Sequence, residues 1–227
     1  MTSARLGILG GTFDPIHFGH LDAADAASAA MALEEIVLIP AYDQPLRVID
    51  PRATAYQRFA LAVLAVADRP ECHVSEVELL RQGRSYTEDT LQKFHAAGRR
   101  TSQLFFILGS DAFAGIAAWH GYPRFLDLAH FVVIARPGVS IEDATRRTPE
   151  LRPRMSPVPR QPVASDGPAR IFLVHAHTRD VSSTMIRERL ASGKPIDELV
   201  PPAVARHIQK HHLYGAVGSL HGEDERI

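Results

Sequence analysis

Two short stretches far apart in the chain carry residues suited to handling phosphate. Residues 10–20 read GGTFDPIHFGH, in which His17 and His20 stand as H-x-G-H behind Gly10 and Gly11. Two imidazoles at this spacing can donate hydrogen bonds to phosphate oxygens, more strongly when protonated. Glycines let the backbone turn tightly and let a phosphate approach it closely. Residues 181–190 read VSSTMIRERL. Ser182 fits a helix N-cap, and Ser183 and Thr184 add hydroxyls in the first turn. Arg187 follows about one turn later, where its fork can bind the oxygens of a phosphate chain. Neither stretch is a common glycine-rich motif: the first lacks the lysine of G-x-x-x-x-G-K-[ST] and the spacing of G-x-G-x-x-G. Taken singly, each has a plainer reading, as solvated turn histidines and as a capped helix with an exposed arginine. Together they point to phosphate, because both fall at strand-to-helix turns.

The elements that must position these residues alternate along the chain. Apolar runs at 5–9, 35–40, 73–77, 103–109, 130–136 and 170–175 read as strands. IVLIP and LFFILG are continuous runs of the kind buried on both faces of a parallel sheet. Helices are expected over His20–Ala32, Thr54–Ala67, Thr87–Ala97 and Ala112–Ala118, with a helical part over 182–214. This alternation predicts an α/β fold: a Rossmann-like doubly wound parallel sheet with helices on both faces and a small C-terminal helical part. Ligands in such folds sit beyond the carboxyl ends of the strands. The first motif falls at such an end, and so do Gly109–Asp111. The free N–H groups and positive dipole end of the helix that begins there attract anions. Residues 1–214 read as one domain, with the Pro/Arg-rich segment 139–169 as a surface excursion holding a short helix near Ile141–Arg147. Residues 215–227 read as a disordered tail.

Bulk properties narrow the classes. The 227 residues suffice to bury a core without staples, and 45% hydrophobic with 22% charged residues is an ordinary globular balance. A net charge of −1 gives no global field for nucleic acid or an anionic membrane, so an anionic substrate must be met by local clusters. Cys72 is the only cysteine, which excludes an intramolecular disulfide and a cysteine-based metal cluster. No apolar run approaches the ~20 residues of a membrane span, and MTSARLGILGG has no signal-peptide pattern, so the cytoplasm is the expected compartment. His175 with His177, and His211 with His212, lack a third ligand at useful spacing, so no metal site made of protein side chains is expected.

GGTFDPIHFGH and VSSTMIRERL resemble the two signatures of the nicotinate-mononucleotide adenylyltransferase family. ELLRQGRSYTEDTL (78–91) is similar to that family's Ser-Tyr-Thr segment, and LGSDAFAGIAAWHGYPRFLDLAHFVVIARPG (108–138) to its Gly-x-Asp…Trp-His…Arg-Pro-Gly segment. PIDELVPPAVARHIQKHHLY (195–214) looks like its C-terminal helices. The resemblance implies adenylyl transfer from ATP to nicotinate mononucleotide, giving deamido-NAD and pyrophosphate by in-line attack of the acceptor phosphate. It implies His17, His20 and Arg187 as catalytic residues. It implies an ATP site of Gly10, Gly11, Thr12, Phe13, His17, His20, Gly109, Ser182, Ser183, Thr184 and Arg187. Mg²⁺ would be held mainly through the ATP phosphates. The implied acceptor site is Arg47, Tyr86, Thr87, Asp111 and Trp119, with Trp119 on the pyridine ring, Tyr86 and Thr87 at the nicotinate carboxylate, and Asp111 on nucleotide hydroxyls. ATP and nicotinate mononucleotide are the implied partners, with no nucleic acid and no membrane; homo-oligomerisation stays open.

The sequence departs from the family where Pro-Pro-His-Lys is typical: it has Gln44-Pro45-Leu46-Arg47. Arg47 keeps the charge as a planar fork, and Leu46 cannot donate a hydrogen bond. The acceptor therefore stays open between nicotinate mononucleotide and another phosphorylated acceptor such as nicotinamide mononucleotide. A non-catalytic nucleotide-binding protein is the remaining alternative. Arg52 and Arg58 are further sources of charge, with Arg58 expected as an ion-pair or surface residue of a helix.

Overall fold

The computed structural model describes residues 4–46, 49–158 and 167–216. Its seven strands are β1 Leu6–Gly11, β2 Glu35–Pro40, β3 Cys72–Val74, β4 Leu104–Gly109, β5 His130–Ile134, β6 Met155–Pro157 and β7 Ile171–Val174. They form one sheet in the order β3-β2-β1-β4-β5-β7-β6, with every pairing parallel. The chain winds outward from β1 through β2 to β3. It then returns to β4 on the other side of β1 and winds the opposite way. That reversal creates a crevice beyond the carboxyl ends of β1 and β4, the place where doubly wound sheets bind ligands. Gly10, Gly11 and Gly109 stand at those two ends.

The apolar runs form strands covered on both faces, as expected. Leu6 and Ile8 of β1, Phe106 and Leu108 of β4, and Phe131 and Val133 of β5 pack into one core. The alternate residues Leu9, Phe105, Ile107, Val132 and Ile134 pack into the other. The period of two follows from the pleat, which turns successive side chains to opposite faces. The helices are α1 Phe18–Met31, α2 Ala55–Ala65, α3 Val77–Arg81, α4 Thr87–Ala96, α5 Ser110–Phe113, α6 Ile141–Arg146, α7 Ser183–Ala191 and α8 Pro202–Lys210. Residues of α1, α2, α7 and α8 contribute to one core, and residues of α4, α5 and α6 to the other. Local signals set several starts. Thr54 caps α2, accepting from Gln57 N at 3.2 Å, while Gln57 Oε1 accepts from Thr54 N at 2.9 Å. Ser140 and Ser182 cap α6 and α7 by a single bond each, their hydroxyls accepting from Asp143 N and Met185 N.

Several expectations need correction. The strand expected over 73–77 is β3, Cys72–Val74, and Val77 opens α3 instead. The helix expected over Ala112–Ala118 is the single turn α5 followed by a 3-10 turn at Ile116–Ala118, with Gly115 between them. The segment 139–169 is not merely a surface excursion. It buries Ile141, Ala144 and Leu151, and it adds the edge strand β6, paired with β7. Residues 159–166 lie outside the described residues, as do 217–227 of the expected tail. Arg58 is buried rather than at the surface, at 1% exposure. Among the described residues, no helix is long and apolar enough to cross a membrane.

Candidate active site

The loop from β1 to α1 presents the paired histidines. Gly10 and Gly11 do not make the turn, as the sequence had suggested: they complete β1, in register with Ile39 and Pro40 of β2. The reversal comes at Phe13, which adopts φ 52° and is buried. Its ring meets the His20 ring edge-on at 5.0 Å. His17 occupies the N-cap of α1 and His20 its first turn, so the rings lie 3.8 Å apart. The His17 backbone N–H donates to His20 Nδ1 at 3.3 Å. An accepting Nδ1 assigns the proton to Nε2, leaving that N–H as a donor. His17 Nδ1 is buried and has no hydrogen-bond partner among the described residues. Burial, followed by the nearby Arg136 guanidinium, pulls His17 down to about 3. Burial, then His17 and Arg136, hold His20 well below the usual imidazole range. Both rings are therefore neutral near pH 7.

The second motif reaches the same loop from the far end of the chain. Ser182 Oγ accepts from Met185 N at 3.1 Å and so caps α7. Ser183 Oγ donates to the Pro15 carbonyl at 2.8 Å, across 168 residues. Arg187 Nη1 donates to the Asp14 carbonyl at 2.7 Å, and Nη2 donates to Thr184 Oγ1 at 3.0 Å. The same guanidinium faces the buried Asp14 carboxylate at 3.7 Å. A cleft of about 350 Å³ lies between Thr12, Phe13 and His20 on one side and Ser183, Thr184 and Arg187 on the other. A second cleft, of about 290 Å³, lies between His17, His20 and Ser182 on one side and Asp111 and Arg136 on the other. Gly109 makes room there: a Cβ on it would collide with Asp111 Oδ1 and lie 2.5 Å from Arg136 Cδ.

An aromatic pocket of about 260 Å³ opens beside these clefts, lined by Gln44, Leu46, Tyr86, Thr87, Trp119 and His120 among others. Tyr86 stands at the N-cap position of α4 without a side-chain cap bond, so the free amides of the first turn, from Thr87 onward, lie at the pocket's edge. The Tyr86 ring stacks on His120 at 4.2 Å. Trp119 packs one side against Phe106 and Phe125, with ring centroids at 6.1 and 6.0 Å, and keeps the other toward the pocket. Beneath, Thr90 Oγ1 donates to Glu78 Oε1 at 2.5 Å, and burial raises the Glu78 carboxyl above its usual range.

The structure thus gathers His17, His20, Ser182, Ser183, Thr184 and Arg187 around adjoining clefts. Tyr86, Thr87 and Trp119 meet in the pocket. Asp111 is not brought to that pocket: α5 starts directly at the end of β4 and turns its side chain toward Arg136. Arg47 lies outside the described residues. Sequence reasoning missed Arg136, although the Arg-Pro-Gly after β5 was its signal. It also missed His120, whose signal was the Trp-His pair. Among the described residues, no group of three or more His, Cys, Asp or Glu is placed to hold a metal ion.

Two motifs of the type suited to phosphate, meeting at the switch point of a parallel sheet with an aromatic pocket alongside, fit a Rossmann-like nucleotidyltransferase. Residues 8–189 match the cytidylyltransferase-like family. A "Probable nicotinate-nucleotide adenylyltransferase" of Roseiflexus sp. (strain RS-1) is 42% identical over 214 residues, covering 94% of this chain and 100% of that one. One of the same name from Pseudomonas putida (strain GB-1) is 40% identical over 213 residues, covering 93% and 95%. The fold is also that of the Plasmodium falciparum nicotinic acid mononucleotide adenylyltransferase complexed with NaAD, with TM-score 0.71, 18% identity, and 94% and 98% of the two chains covered. The chain belongs to the cytidylyltransferase-like family and, within it, to the nicotinate-nucleotide adenylyltransferases.

Proposed function

We propose that this protein transfers the adenylyl group of ATP to nicotinate mononucleotide, giving deamido-NAD and pyrophosphate in NAD biosynthesis. The observation that carries the proposal is the 2.7 Å bond from Arg187 to the Asp14 carbonyl, which ties the second motif to the loop bearing His17 and His20. The triphosphate would lie between His20 and Arg187, with the Ser183 and Thr184 amides at the N-terminus of α7 as further donors. The adenosine end would lie along the Asp111–Arg136 cleft beside Gly109, with the Asp111 carboxylate taking ribose hydroxyls. The pyridine ring would stack on Trp119, and its carboxylate would meet the Tyr86 and Thr87 amides.

In this arrangement an acceptor phosphate oxygen attacks the α-phosphorus. A new P–O bond forms, the bond to the bridging oxygen breaks, and pyrophosphate leaves. A phosphate monoester, with a second pKa of about 6, is already a nucleophile near pH 7, so no general base is needed. The residues position two anions and stabilise developing charge. The neutral His20 suits this role: its Nε2–H donates to an α-phosphate oxygen without a proton changing hands. Phosphate oxygens and water would supply the ligands of Mg²⁺, whose hard octahedral preference suits them. Bound so, the ion neutralises phosphate charge. A chain with one cysteine that consumes ATP fits the cytoplasm.

The test is pyrophosphate release from ATP and Mg²⁺ with nicotinate mononucleotide, nicotinamide mononucleotide, or no acceptor. The amides at the start of α4 favour a carboxylate over a carboxamide. The acid should therefore be used about tenfold better or more, the ~1.4 kcal/mol that such a site gives an anion. Equal use of both would remove the acid assignment. No release with either mononucleotide would leave a nucleotide-binding protein without transfer activity.

A further inference from the structure

The adjoining cavities raise a question of contact. Among the described residues, the aromatic pocket and the cleft between His20 and Arg187 share two lining residues, Gln44 and Leu46. A reaction that joins a phosphate held by one to a phosphorus held by the other must take place at that junction. Leu46 has no polar atom to offer there. Gln44 has a carboxamide, and Thr12 Oγ1, in the loop after β1, donates to its Oε1. Gln44 also lines the small cavity under Gly10 and Gly11, so its side chain stands where all three spaces meet. Among the described residues, the Thr12 hydroxyl is the one polar group paired with the carboxamide. Whichever way the amide is turned, at least one N–H bond is therefore left for a ligand.

We infer that the Gln44 carboxamide binds the 5′-phosphate of the acceptor mononucleotide and aims it at the α-phosphorus. The inference rests on the proposed reaction. Thr12 acts as the positioning residue that fixes the amide. The role is specific to this chain's Gln44-Pro45-Leu46 stretch, in which the next candidate side chain is apolar.

The experiment measures binding and turnover in the wild type, Gln44→Glu and Gln44→Ala. Gln44 is exposed, so the fold should survive either change, and melting temperatures check this. Gln44→Glu keeps an oxygen that Thr12 can pair with but replaces the donor with a negative charge. The Kd and KM for nicotinate mononucleotide should rise about tenfold in Gln44→Ala and further in Gln44→Glu, with the KM for ATP within about twofold of wild type. Nicotinate riboside, which fills the aromatic pocket without a phosphate, should bind all three proteins equally. Unchanged mononucleotide affinity in both variants overturns the inference. So does an equal loss of riboside affinity, which would mean Gln44 shapes the pocket rather than holding phosphate, and so does a wild type that fails to bind the mononucleotide. Failure of the proposed reaction is separate: it is the absence of wild-type pyrophosphate release, whatever the variants bind.

Discussion

Arg187→Lys probes the join between the two motifs while keeping the positive charge. A guanidinium has five N–H donors. Two are committed within the protein, to the Asp14 carbonyl at 2.7 Å and to Thr184 Oγ1 at 3.0 Å. The remaining three have no hydrogen-bond partner among the described residues, on a side chain that lines the cleft. An ammonium has three donors on a compact head, so a lysine that kept both internal bonds would have one left for phosphate. About two charge-assisted bonds are lost, each nominally ~1.5–3 kcal/mol, of which water and rearrangement recover part. A net loss of ~3 kcal/mol corresponds to a fall of roughly 100-fold in kcat/KM for ATP. Stability should change little, because the Asp14 carboxylate keeps the Arg52 and Ala53 amides at 3.0 and 3.1 Å. Pyrophosphate release at varied ATP gives the rate, and thermal melting gives the stability. A variant with wild-type melting and kcat/KM within about threefold of wild type would refute the assignment of Arg187 to the triphosphate.

The other predictions are narrower. Gly109→Ala drives a methyl group into Asp111 Oδ1 and Arg136 Cδ, so the thermal shift produced by ATP should shrink while that produced by the acceptor persists. Trp119 is the only tryptophan, so nicotinate mononucleotide should quench the protein's intrinsic emission and ATP alone should not; quenching by ATP alone would put the pyridine site elsewhere. Stability should fall on acidification below about pH 6.5. Burial holds His17 at about 3 and His130 at about 4, so from pH 6.5 downward the unfolded chain takes up protons that the folded chain refuses. At pH 5 each buried imidazole accounts for ~2 kcal/mol, a loss that grows until the folded pKa is reached. A His130→Gln variant should therefore show a shallower decline between pH 6.5 and 4, measured by urea unfolding; an unchanged slope would clear His130 of the effect.

Much of this was legible because the physics is local or periodic. The continuous apolar runs of β1, β2, β4, β5 and β7 could only be strands covered on both faces. Ser182 announced a helix start by cap chemistry that needs no tertiary context. The histidine and arginine motifs were legible as phosphate chemistry, and the family resemblance tied them together. What escaped depends on packing. β6 is three residues ending in Pro157, tolerable only on an edge, and it carries no alternation to read. The glycines at 10 and 11 suggested a turn by composition, yet the neighbouring β2 holds both in the ladder and Phe13 turns instead. Asp111 was expected at the acceptor site, but the short α5 that begins at the end of β4 puts it in the cleft with Arg136 instead.

Arg58 is the most instructive of these misses, because a buried cation has no periodic signature. Its guanidinium donates to the carbonyls of Ala53 at 3.3 Å, Thr12 at 2.6 Å and Tyr42 at 3.1 Å. Thr12 and Tyr42 belong to the loops that leave β1 and β2, so one side chain fixes both exits from neighbouring strands. Asp14 does the complementary work. Its carboxylate takes the Arg52 and Ala53 amides, while its carbonyl takes Arg187. The loop after β1, the start of α2 and the helix α7 are therefore braced to one another by buried charges. Burying a charge is costly unless its hydrogen bonds are met, and that cost falls at folding rather than at binding. Donors fixed this way need no reorganisation when negative charge develops between them, and that is where electrostatic catalysis gains most. The Arg58 and Asp14 side chains thus hold the loop whose main-chain carbonyl at Asp14 takes Arg187, and this accounts for why His20 and Arg187 face each other across a cleft before any nucleotide arrives.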